Sequence, residues 1–193
     1  MKRVNVLILS SLVLLFPTLA FSEACQIALS QPTGSFGRFK QDDIAASRKN
    51  WNRMPAKEVM VNVFCPQPKV MALFLQSASD GRGGVLFGQE GRLALVAENM
   101  TVDGHRHDLV KTADRVAFTS TYSPKEKIFL KNNEGIVARQ NGGFIRGKQM
   151  SVTIKLIPVL DNHQLRSISD NTDLESTLSW ELLTADQKHS LPD

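Results

Sequence analysis

The segment Lys57–Cys65, KEVMVNVFC, alternates residue by residue. Val59, Val61, Val63 and Cys65 fall on one face, and Glu58, Met60, Asn62 and Phe64 on the other. A period of two over that length predicts a strand with one buried face. The next run, VMALFLQS at Val70–Ser77, is apolar on both faces, as expected of a central strand covered on both sides. GRLALVAENMTVDGHRHDLVK, from Gly91 to Lys111, predicts a hairpin: Leu93 to Val96, then Met100 and Val102, with Asp103-Gly104 as its turn. VAFTSTY, KIFLKN and EGIVARQ are shorter strand candidates. In QMSVTIKLIPVL, Val152, Ile154 and Leu156 alternate with Ser151, Thr153 and Lys155. TLSWELL predicts a final strand with Leu178, Trp180 and Leu182 inward and Thr177, Ser179 and Glu181 outward. Gly81–Gly84 and Asn141-Gly142-Gly143 punctuate these runs as turns. Only DDIAASRKNW has helical character, enough for a short helix in a connection. Many short strands separated by turns predict an all-β chain of the β-sandwich kind.

The first 24 residues change the picture from a fold to a compartment. Lys2 and Arg3 precede an apolar stretch from Val6 to Phe16, followed by Pro17 and small residues. That is the layout of a cleaved export signal, and the stretch is shorter than the roughly 20 residues needed to span a bilayer. Cleavage is expected after Ser22, or alternatively after Ala24, which leaves one domain over residues 23–193 with a polar C-terminal tail from about residue 184. Ser22-Glu23-Ala24 ahead of Cys25 is a poor lipidation site, since Glu23 does not fit. The chain is therefore expected to be exported and not membrane-spanning.

Export gives the two cysteines, Cys25 and Cys65, a meaning. An oxidising compartment favours a disulfide, and the chain offers neither a CxxC nor a Cys-His cluster for redox or metal work. A bridge closing so long a loop contributes about 4 kcal/mol through chain entropy.

Charge and motifs mainly exclude. The net charge is +4, from 23 basic and 19 acidic residues that are interspersed along the chain. Nothing in that distribution points to nucleic acid. Gly34-Ser35-Phe36-Gly37 is not the GxSxG nucleophile elbow, and Gly81-Arg82-Gly83-Gly84 lacks the phosphate-loop lysine. No nucleophile–base pair can be named, so the chain is read as non-enzymatic and without a cofactor. His105 and His107 share a face at i and i+2 and could approach one Zn²⁺ with His163 as a third ligand. The favoured reading makes DGHRHD the solvated shoulder of a hairpin turn, with no metal. Asn99-Met100-Thr101 matches a glycosylation sequon by chance.

At the two cysteines, 40 residues apart, the chain resembles the subunits of chaperone–usher pili. CQIALSQPTGSFGRF is similar to the first strand of such a pilin, and KEVMVNVFCP to the strand that ends on its partner cysteine. VLFGQEGRLALVAENMTVDGHRHDL resembles the middle of these subunits. The resemblance implies an immunoglobulin-like sandwich lacking its last strand, with an apolar groove filled first by a periplasmic chaperone and then by the next subunit's N-terminal extension. It implies that Ile27, Leu29, Leu178, Trp180 and Leu182 line that groove. It also implies an outer-membrane usher and other pilus subunits as partners, a host receptor as a further one, and a route through the periplasm to the fimbrium at the cell surface. Two departures stand out. Cys25 lies at or next to the mature N-terminus, so the subunit is expected to accept a strand without donating one, as a minor subunit at the fibre tip. Trp180 and the tail TADQKHSLPD replace the usual C-terminal strand ending. The alternative reading is an exported ligand- or metal-binding β-sandwich unrelated to pili.

Overall fold

A computed structural model of the chain describes residues 24–32, 35–36, 45–46, 51–88, 91–163 and 174–186. The expected export signal at 1–22 and the tail beyond Asp186 lie outside the described residues. The fold is all-β, with strands β1 (Gln26–Leu29), β2 (Ala45–Ala46), β3 (Trp51–Arg53), β4 (Lys57–Ser77), β5 (Val85–Phe87), β6 (Gly91–Val102), β7 (His105–Arg106), β8 (Asp108–Thr112), β9 (Lys127–Leu130), β10 (Gly135–Gln140), β11 (Gly143–Phe144), β12 (Arg146–Asp161) and β13 (Leu178–Ala185). These strands belong to one hydrogen-bonded network, and the pairings are antiparallel.

The 21-residue β4 is the spine, and it merges the two runs that the sequence pattern predicts as separate strands. Its first half pairs with β1 at Val61–Phe64 and with β12 at Lys57–Phe64. Its second half pairs with β13 at Val70–Ser77 and with β10 at Ala72–Phe74. Cys65, Pro66, Gln67 and Pro68 have no cross-strand register partner, as two prolines without N–H groups dictate. On one edge β1 gives way to β13 across that interruption, while on the other β12 resumes at Lys69–Val70 before β10 takes over.

Alternation decides what is buried. Val59, Val61, Val63, Cys65, Met71, Leu73 and Leu75 of β4 enter one core with Leu93, Leu95 and Ala97 of β6 and Val152, Ile154 and Leu156 of β12. The opposite face of the second half of β4 places Val70, Ala72 and Phe74 in a smaller cluster with Val110, Val137 and Phe118. VMALFLQS is thus covered on both faces as expected. Part of its outer cover comes from the segment predicted as the strand VAFTSTY, which is a loop. There Asp114 accepts hydrogen bonds from the N–H of Val116 (2.9 Å) and Ala117 (3.1 Å), and Phe118 has φ of 57°. An aspartate that caps its own turn and a left-handed Phe118 cannot continue a ladder. Phe118 instead packs 6.4 Å from Phe74. The expected helix in DDIAASRKNW also fails at the described positions, because Ala45–Ala46 pair with β3, which pairs with β12.

Two hairpins turn as their sequences require. Asp103-Gly104 (φ 48° and 80°) and Asn141-Gly142 (φ 50° and 83°) both take the left-handed pair of a two-residue hairpin turn. They connect β6 to β7 and β10 to β11. One side of the fold is closed by hydrogen bonding: β12 pairs with β6, β6 with β9, and Lys125 bridges to Leu109 of β8, which pairs with β10.

Candidate strand-acceptor site

The other side is built from β1 and β13. Both lie on the edge of β4 that faces away from β12 and β10, because each pairs with β4 residues whose opposite neighbour is one of those strands. Among the described residues, β1 and β13 pair with β4 alone. Each therefore presents an outer row of backbone N–H and C=O groups to whatever lies beyond it.

β1 is only four residues long and is fastened at its start. Cys25 is bonded to Cys65, with an S–S distance of 2.07 Å and Cα atoms 4.2 Å apart. Cys65 is the last inward residue of the first half of β4 and is fully buried. At the other end, Ser30 donates its N–H to the Met60 carbonyl (2.9 Å), and its Oγ accepts the Met60 N–H (2.9 Å). Between these anchors, Ile27 and Leu29 point at the main core and are half-buried, while Gln26 and Ala28 are exposed.

β13 holds eight residues in register, with Trp180 opposite Leu75 and Leu182 opposite Leu73. Leu178, Trp180 and Leu182 pack on the main core but remain half-buried, whereas the Leu73 and Leu75 beside them are fully buried. The structure thus gives all five residues assigned to a groove wall, Ile27, Leu29, Leu178, Trp180 and Leu182, the same condition. They are inward-facing, apolar and incompletely covered.

The outward face of β13 is anchored in a way that the sequence pattern does not reveal. Glu181 pairs with Arg115, whose guanidinium lies 4.6 Å over the Phe74 ring. Leu183 and Ala185 pack on the smaller cluster. At the strand's end Lys69 bonds Asp186 (2.6 Å), and that contact holds the Asp186 carboxyl below its ordinary value. The Arg115–Glu181 pairing spans 66 positions, too far for any local motif to announce.

The histidines do not form a metal centre with His163. The His105 ring is exposed on β7 beside the Asp103 carbonyl (3.1 Å), and His107 is half-buried, with its backbone N–H donated to the Met100 carbonyl (3.0 Å). Met150 of β12 is in register with Val102, next to these histidines, whereas Asp161 is in register with Trp51. His163 follows that far end, about 40 Å away at ~3.3 Å per residue. No group of three or more His, Cys, Asp or Glu side chains able to hold a metal occurs among the described residues. Among those residues there is also no helix long and apolar enough to cross a membrane. No protein-family model matches the chain, and no curated protein is found to match it.

Proposed function

We propose that this chain is an exported, non-enzymatic minor subunit of a chaperone–usher-type pilus, an immunoglobulin-like sandwich that accepts a β-strand from a chaperone or a neighbouring subunit. The observation that carries this reading is the pair of edge strands β1 and β13, whose inward apolar side chains are half-buried beside fully buried β4 residues such as Val61, Val63, Leu73 and Leu75. An extended segment laid along β13 would satisfy its outer backbone groups and place alternate side chains over Leu178, Trp180 and Leu182. Each Å² of apolar surface covered contributes about 25 cal/mol, offset by the ordering of the incoming strand. The Cys25–Cys65 bridge accords with an oxidising compartment such as the periplasm.

Co-purification of the chain with its chaperone from periplasm tests this reading. The wild-type chain should be recovered in a complex and, expressed alone, should aggregate on concentration while staying folded in dilute solution. Trp180→Asp should abolish the complex while thiol alkylation still finds Cys25 and Cys65 bonded. An undiminished complex with Trp180→Asp, or a chain that stays monomeric and soluble on concentration without any partner, would overturn it.

A further inference from the structure

The two hairpin turns frame a depression on the opposite edge of β4 from β1 and β13. It has a volume of about 500 Å³ and is lined by Val102, Asp103, His105, Arg106, His107, Gln140, Ile145 and Arg146. We propose that this depression binds a monosaccharide-sized organic acid through its carboxylate, independently of any strand that docks on β13.

The lining is rich in donors and poor in free acceptors. Arg106 gives one Nη2 contact to Asn99 Oδ1 (3.1 Å), and Arg146 gives one to the Pro68 carbonyl (3.0 Å). Each guanidinium carries five N–H donors in a planar fork, so most of that capacity remains, and the fork matches a carboxylate. Neither arginine forms a direct ion pair among the described residues, although Asp186 lies close enough to Arg146 to be acted on by its charge. The one acid in the lining, Asp103, is engaged through one of its oxygens. Its Oδ1 accepts the N–H groups of Lys148 (2.9 Å) and Gln149 (2.8 Å).

His107 also borders the depression, and its buried Nδ1 has no hydrogen-bond partner, a polar atom left unmet at the site. Val102 and Ile145 supply the apolar lining, and the Gln140 amide adds a donor and an acceptor for a hydroxyl. Apolar walls, a few convergent polar groups and a volume within the usual ligand range fit a small acidic saccharide better than a bare ion.

Calorimetric titration of the chain with D-glucuronate at low ionic strength is the test, with D-glucose and acetate as comparisons. It is carried out on the chain's chaperone complex, or on the chain alone if it proves soluble without a partner. Glucuronate should bind more tightly than either. Arg106→Gln with Arg146→Gln should weaken it about a hundredfold, since two charge-assisted contacts are lost. Arg139→Gln should leave binding unchanged, because that guanidinium is held by the Gly142 carbonyl (3.0 Å) and lies outside the lining. Glucuronate should also shift the ring resonances of His107 and leave those of His163 in place. The proposal falls if acetate or glucose binds as tightly as glucuronate, if the double variant binds like the parent, if Arg139→Gln weakens binding equally, or if the His107 ring does not respond.

Discussion

β12 and β13 both run antiparallel to β4, and both carry alternating apolar side chains, yet their surroundings differ. β12 lies between β4 and β6, and Met150, Val152, Ile154 and Leu156 are all no more than 8% exposed. β13 pairs with β4 alone among the described residues, and Leu178, Trp180 and Leu182 stay half-buried. The side-chain pattern is the same, so what covers the strand decides how much of the hydrophobic effect is realised. Among the described residues β5 and β9 also have a single strand neighbour, β6, yet their Val85, Phe87, Ile128 and Leu130 are buried in the packed core. There β13 has neither a second strand nor full cover over its inward residues. That deficit is the physical content of the acceptor reading, and perturbing the two sides separately can measure it.

The largest effect is expected from the bridge on the open side. Cys25→Ala with Cys65→Ala should cost about 4 kcal/mol in urea denaturation, from the chain entropy of the 40-residue separation it closes. β1 has only four paired residues and depends on this fastening. A loss no larger than that of a surface substitution would mean that backbone pairing alone holds β1, and the open side would then be sturdier than its burial implies.

A direct comparison follows from Ile154→Ala on β12 and Leu182→Ala on β13. The first leaves a cavity in a sealed core and should cost about 3 kcal/mol. The second removes a side chain already half in water and should cost about 1–1.5 kcal/mol. Docking a donor strand should raise the Leu182→Ala cost toward that of Ile154→Ala, because both positions would then be covered. Equal costs in the isolated chain would show that β13 is already sealed.

These differences explain what could be read in advance. The alternation in KEVMVNVFC, QMSVTIKLIPVL and TLSWELL is a local property, so the inward faces of β4, β12 and β13 were legible. So were the Asp103-Gly104 and Asn141-Gly142 turns, which need left-handed backbone at both positions. The Cys25–Cys65 pairing followed from having only two cysteines in a chain expected to be exported. By contrast, Val116 and Phe118 mimic strand alternation, and only the turn capped by Asp114 removes them from the ladder. Ala45 and Ala46 looked helical by propensity but pair with β3, where tertiary pairing outweighs a weak local preference. The Arg115–Glu181 contact and the convergence of Arg106 and Arg146 arise from distant segments, and no window of sequence carries them.

The smallest effect concerns the loop that covers the outer face of β4 next to β13. Asp114 accepts hydrogen bonds from the Thr119 hydroxyl (2.6 Å) and from the N–H groups of Val116, Ala117 and Thr119. With the Thr119 hydroxyl as the largest cause, they hold its carboxyl far below the ordinary aspartate value. A carboxyl depressed in the folded state stabilises above its unfolded value and loses that contribution as pH falls through its folded value. The Phe118–Phe74 packing should therefore be constant from neutral pH down to about pH 4, the ordinary aspartate range, and loosen only well below it. Asp114→Ala should remove that acid transition and loosen the loop already at neutral pH, seen as faster amide exchange at Phe118. Exchange in β12 should not change, because the main core does not include Phe118. If exchange at Phe118 instead rises between pH 7 and about pH 4, a group other than Asp114 controls the loop. If β12 responds along with it, the two faces of β4 unfold as one unit, and the contrast between its closed and open sides does not extend to local stability.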